Sequence, residues 1–148
     1  MKIAFDATRV TALLDRTVKA LPAEIDQALA MTALHGINMI EDRTESGRGY
    51  LGAFRPYSPA YAKFRASRGR QITPVNLNFT GRMLSSMAAR RVTRGVQEIY
   101  FTRAEEARKA YFHNVTGAGK GRITRKFFGF NQAEKSMLRK FFSNRLLK

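Results

Sequence analysis

The chain has 148 residues, no cysteine and a formal net charge of +16. That length suffices for one domain with its own core, and a hydrophobic share of 44% is globular rather than disordered in composition. Lack of cysteine excludes a disulfide framework and thiolate chemistry, and no apolar run approaches the roughly 20 residues that span a bilayer.

Met1 to Phe5 reads as a short strand or lead-in, too short and too soon acidic at Asp6 for a signal peptide. Asp6 or Thr8 is expected to cap a first helix with Val10, Leu13, Leu14 and Val18 at helical spacing. Pro22 suits the first turn of a second helix, where its missing N–H costs nothing. Glu24 and Asp26 follow on the side favoured by the helix dipole. Ile25, Leu29, Ala33, Ile37 and Ile40 form one apolar stripe, and the helix is expected to end near Glu45.

Residues 46–79 hold several glycines and three of the four prolines, and read as one long basic loop. Pro56 and Pro59 exclude a regular central strand. Ser58-Pro59 suits a turn or helix start, with Tyr61 and Phe64 burying one side of a single turn. A loop of this length in a compact domain is usually functional or disordered.

Thr80 is expected to cap a short helix through Met83, Leu84 and Met87. Met87–Val92 and Val96–Phe101 read as two strands around Thr93-Arg94-Gly95, a standard hairpin connection. Thr102 and Glu105 have capping-box spacing before a helix over about 103–113. Val115–Gly121 reads as a loop and Ile123–Phe128 as a strand. Asn131 with Glu134 signals a last helix, with Ala133, Met137, Leu138 and Phe141 on its apolar face. The expected fold is α+β in a single domain over 1–148: N-terminal helices, a small, mostly antiparallel sheet and a C-terminal helix.

The charge is uneven. Residues 1–42 carry −2, residues 43–95 carry +10 and residues 96–148 carry +8. Such a field draws polyanions and acidic protein surfaces. Arg48, Arg55, Lys63, Arg65, Arg68 and Arg70 in the basic loop are the candidate partner-docking residues. Taken as exposed, Arg65, Arg68 and Arg70 are together replaceable by serine with the fold intact. Tyr50, Phe54, Tyr57, Tyr61 and Phe64 interleave with these cations, a pattern that can stack single-stranded nucleic acid. Aromatics that pin a long loop to the core give the same pattern, and that reading is preferred.

Signals for enzyme chemistry are weak. His35 and His113 fall in different predicted helices and read as structural. Gly117-Ala118-Gly119-Lys120-Gly121-Arg122 invites a phosphate-loop reading, but Gly121 stands where that motif requires Ser or Thr. Glu41, Asp42 and Glu45 read as a solvated helix end. No metal-ligand spacing or nucleophile elbow is found. Neither an enzyme nor a cofactor is expected.

The order of motifs says more. Phe54-Arg55-Pro56-Tyr57-Ser58-Pro59-Ala60-Tyr61-Ala62-Lys63 comes first, then Arg68-Gly69-Arg70. Val75-Asn76-Leu77-Asn78-Phe79-Thr80-Gly81-Arg82-Met83-Leu84 follows. Ala110-Tyr111-Phe112-His113-Asn114 and Arg125-Lys126-Phe127-Phe128-Gly129-Phe130 close the series. Over roughly residues 50–140 this resembles the tailed-bacteriophage tail-completion and virion-morphogenesis proteins that sit between head and tail. The resemblance implies a virion structural protein assembled in the host cytoplasm. It further implies a homo-oligomeric ring, six subunits favoured over twelve, that docks on neighbouring neck and tail proteins without contacting membrane. The chain is more basic than that family usually is. A nucleic-acid-binding protein that meets DNA through the same loop is the alternative.

Overall fold

A computed structural model describes residues 1–6 and 22–147. The expected first helix, over Thr8 to Val18, lies outside the described residues. The architecture is α+β, as composition and periodicity predict.

Helix α1 (Pro22–Glu45) starts and stops where Pro22 and Gly47 predict. Its stripe is buried throughout, from Ile25 to Ile40. The stripe serves two clusters. Ile25 and Leu29 join Phe142, while Ala33, Ile37 and Ile40 face the main core. Strand β1 (Ile3–Asp6) pairs antiparallel with the strand that ends the hairpin predicted around Gly95. That hairpin is β4 (Met87–Thr93) and β5 (Val96–Phe101), giving a three-stranded sheet of order β1-β5-β4. The Gly95 amide donates to Asp26 Oδ1 at 2.8 Å, and Asp26 also pairs with Arg91, so α1 is tied to the hairpin tip.

Residues 46–79 are more ordered than a loop reading allows. A two-residue ribbon pairs β2 (Arg48–Gly49) with β3 (Gly52–Ala53). Helix α2 (Pro59–Ser67) then runs nine residues rather than one turn. Ser58 caps it by accepting from the Tyr61 amide, and Pro59 occupies the first turn.

Several local expectations are corrected. Gly81, at φ 79°, precedes helix α3 (Arg82–Ser85), and Thr80 does not cap it. Met83 and Leu84 are nonetheless buried. Thr102 forms no capping box. Its hydroxyl donates to the Ser86 carbonyl, and helix α4 (Ala104–Tyr111) starts without a side-chain cap. A π-helical turn, Phe112–Thr116, continues α4. Residues 123–128 form no strand, because their backbone groups are taken elsewhere. The Arg125 amide donates to the His113 carbonyl and the Tyr50 amide donates to the Lys126 carbonyl. Asn114, buried in the π turn, accepts from the Phe128 amide and donates to its carbonyl, standing in for a neighbouring strand.

Helix α5 (Gln132–Leu146) has the predicted capping box, with reciprocal bonds between Asn131 and Glu134. Of the predicted face Leu138 is buried, but Ala133 and Met137 are exposed, and Phe142 completes the buried side instead. Phe141 is half-buried and stacks on His35 at 4.5 Å, a structural role for that histidine. Arg43, in the last turn of α1, pairs with Glu134 and donates to the carbonyls of Phe127 and Gly129. One side chain thus fixes the C-terminal end of α1 against the start of α5.

Candidate functional site

The motif segments far apart in sequence meet around Tyr57. The Arg65 guanidinium lies 4.6 Å from the Tyr57 ring centre and that of Arg125 lies 5.3 Å from it. The Tyr57 hydroxyl accepts from the Leu77 amide at 3.2 Å. Burial pushes the Tyr57 phenol upward, against the two cations that pull it down. Arg65 is 1% exposed. Its Nε donates to the Gln71 carbonyl, and its Nη2 donates to the Asn78 carbonyl and Asn76 Oδ1. Arg125 is buried likewise, and donates to the carbonyls of Arg55 and Pro56. Burial lowers the Arg125 guanidinium from its usual value.

Arg65 is therefore not a surface docking residue, and it does not belong with Arg68 and Arg70 in a harmless serine triple. Position 65 falls on the inner face of α2, and its fork closes the 71–78 segment over the helix. Arg48, Arg55, Lys63, Arg68 and Arg70 are exposed as expected. They are not one cluster. Arg48 lines a shallow depression with Asp42, Tyr50 and Asn131. Arg68 and Arg70 instead flank an aromatic ladder. Tyr57 meets Tyr61 edge-on, Tyr61 stacks with Phe64, and Phe64 stacks with Phe79 at 5.7 Å. Arg68 lies over Phe64 and Arg70 over Phe79. Tyr57 and Phe54 pack against the core, as the pinning reading expects. Phe64 remains 44% exposed.

Beside the ladder lies a cleft of about 750 Å³. Its walls are α2, residues 77–83, α4 with the π turn, and the 117–125 loop. Tyr61, Leu77, Phe79, Met83 and Ile123 make much of it apolar. The loop that resembles a phosphate cradle closes on itself through paired backbone bonds between Ala118 and Ile123. Two polar groups inside the cleft are unusual. Glu106 is 2% exposed, and Lys109 pairs with its Oε1 while Oε2 has no partner. His113 Nδ1 is also buried and unpartnered. Neither residue was singled out from sequence as part of a site. The available signal was their spacing of seven, two turns along one helical face.

Burial and the nearby Arg125 charge lower the His113 pKa to about 4. The folded protein therefore holds this imidazole neutral, while the unfolded chain protonates it below about 6.5. Unfolded chain binds the extra proton between those values, so this contribution to stability is full above pH 6.5 and is lost as pH falls towards 4. Its ceiling is about 3 kcal/mol. Chemical denaturation across that window should show His113→Phe with a shallower pH dependence than the parent, by up to one proton. Parallel curves would remove the buried neutral imidazole.

No family model, curated protein or solved structure matches the chain.

Proposed function

We propose that the chain is a structural protein of a tailed-bacteriophage particle, at the head–tail neck or the top of the tail. In this reading it forms a homomeric ring that joins or completes the tail, and it has no catalytic role. Convergence of the motif segments carries the proposal. Arg65 holds Tyr57 from the first to Asn76 and Asn78 from the second, and Arg125 from the last lies over the same Tyr57 ring. That supports treating the motifs as one unit rather than as unrelated turn and core residues.

A ring closes through heterologous contacts between unlike faces of one subunit. Six subunits are favoured and twelve fit the same reading. Arg48, Arg55, Lys63, Arg68 and Arg70 supply the positive surface for acidic faces of neighbouring neck and tail proteins. Assembly takes place in the host cytoplasm and the product resides in the virion.

One observation favours a second reading. Phe64 and Phe79, stacked and flanked by Arg68 and Arg70, have the form of a base-stacking platform for single-stranded nucleic acid. Light scattering coupled to size exclusion, beside a DNA titration against salt, separates the two. The expected result is a discrete ring with weak DNA affinity. A monomer whose DNA affinity falls steeply with salt would replace the first reading with the second.

A further inference from the structure

We infer that the cleft between α2 and α4 is a docking groove for an extended, apolar segment of a partner protein, flanked by carboxylates. The inference deepens the docking role proposed above and rests on it.

Three observations carry it. The first is the pair of orphan polar atoms. Glu106 Oε2 and His113 Nδ1 are both buried and unpartnered, and both residues line the cleft. A buried carboxylate oxygen without a donor is costly to leave so. A ligand that brings a donor to it recovers that cost. The second is spacing. Seven residues along a helix advance about 10 Å. An extended chain covers that in about three residues, at roughly 3.3 Å each. A peptide laid along α4 can therefore offer polar backbone groups to both atoms while its side chains face Leu77, Phe79, Met83 and Ile123.

The third is charge. Lys109 and Lys120 line the cleft with exposed ends, and Arg65 and Arg125 stand in its wall. Among the described residues no carboxylate lies within ion-pair distance of either arginine. Among the described residues, Glu106, already paired with Lys109, is the one acidic residue lining the cleft. The surround therefore selects a segment with acidic ends. It also disfavours a second copy of this chain, whose net charge is +16.

The test uses an array of capped hexapeptides. Each has a core of four residues drawn from Leu, Ile, Val, Phe and Thr between two aspartates, beside the same cores between two lysines. Ala60→Trp, on the exposed first turn of α2, fills the cleft mouth and is checked by melting against the parent. Acidic-flanked members should bind, and their lysine twins should bind at least about tenfold more weakly, a difference of about 1.4 kcal/mol. Ala60→Trp and Glu106→Met should each lose about tenfold or more. The groove is overturned if no acidic-flanked member binds below about 1 mM, if the lysine twins bind as tightly as the acidic-flanked members, or if Ala60→Trp or Glu106→Met binds those members as tightly as the parent. It is also overturned if oligothymidylate takes the same site and Ala60→Trp abolishes that binding. Light scattering reads the ring separately. A failed array leaves the ring standing, and a monomer that binds the array leaves the groove standing.

Discussion

Arg65→Met is expected to destabilise the fold by about 3–5 kcal/mol, read as a lower urea midpoint. The change leaves the carbonyls of Gln71 and Asn78 without their donor, and Asn76 Oδ1 with the Asn78 amide alone. Each stranded acceptor costs about 1–3 kcal/mol where water cannot reach it. Loss of the guanidinium from the Tyr57 ring adds to this, while relief of its own burial subtracts. Total stability for a domain of this size is about 5–15 kcal/mol, so the variant sits near the edge of folding. Arg68→Ser with Arg70→Ser, both at exposed positions, should stay within about 1 kcal/mol of the parent. If Arg65→Met unfolds at the parent's midpoint, the buried clamp is wrong. If the double variant docks on its partner normally, Arg68 and Arg70 are only solvated surface.

Gly49→Ala should be as damaging for a different reason. A Cβ at Gly49 would stand 2.2 Å from the Lys126 carbonyl oxygen and 2.8 Å from its carbon. The next amide, Tyr50, donates to that same oxygen at 2.9 Å. Two backbone segments touch here and neither can rotate aside, unlike a flexible side chain. A loss of about 3 kcal/mol is expected, or about 6–12 °C in the melting midpoint. Gly69→Ala provides the control. Nothing lies within 4 Å of its Cβ, so only the left-handed backbone at φ +64° resists, at about 1–2 kcal/mol. Equal melting of the two variants would remove the contact between the β2–β3 ribbon and residue 126.

The parts legible in the sequence are those decided by neighbours in the chain. Helix α1 is bounded by Pro22 and the glycines after Glu45, and its stripe has a single period. The hairpin and the Asn131 capping box depend on a few adjacent residues each. Misreadings arise where distant groups compete. Residues 123–128 have the composition of a strand, but Asn114, Tyr50 and His113 occupy their backbone groups. Thr102 has the spacing of a cap, but Ser86 takes its hydroxyl. On α5, Met137 has the right spacing for the core, yet it is Phe142 that meets Ile25 and Leu29 across the helix pair. The candidate site was half legible. Counting charges finds exposed Arg48, Arg55, Lys63, Arg68 and Arg70, but composition cannot separate them from Arg65, whose carbonyl partners lie up to 13 residues ahead. Beyond their spacing of seven, Glu106 and His113 carry no local signal of burial, since their surroundings come largely from α2 and the 117–125 loop.

Arginine outnumbers lysine by 18 to 9 in this chain. The buried clamps divide that excess into two populations with different tolerance to exchange. Arg43, Arg65 and Arg125 each reach two or more acceptors from one planar fork, and Arg65 and Arg125 also lie over Tyr57. An ammonium at those three positions keeps the charge but not the geometry. At Arg68 and Arg70 an ammonium can keep both the surface field and contact with Phe64 and Phe79. Among homologues of this chain, lysine should therefore drift in and out along the outer face of α2 and its C-terminal end, while positions 43, 65 and 125 hold arginine regardless of how basic the protein is.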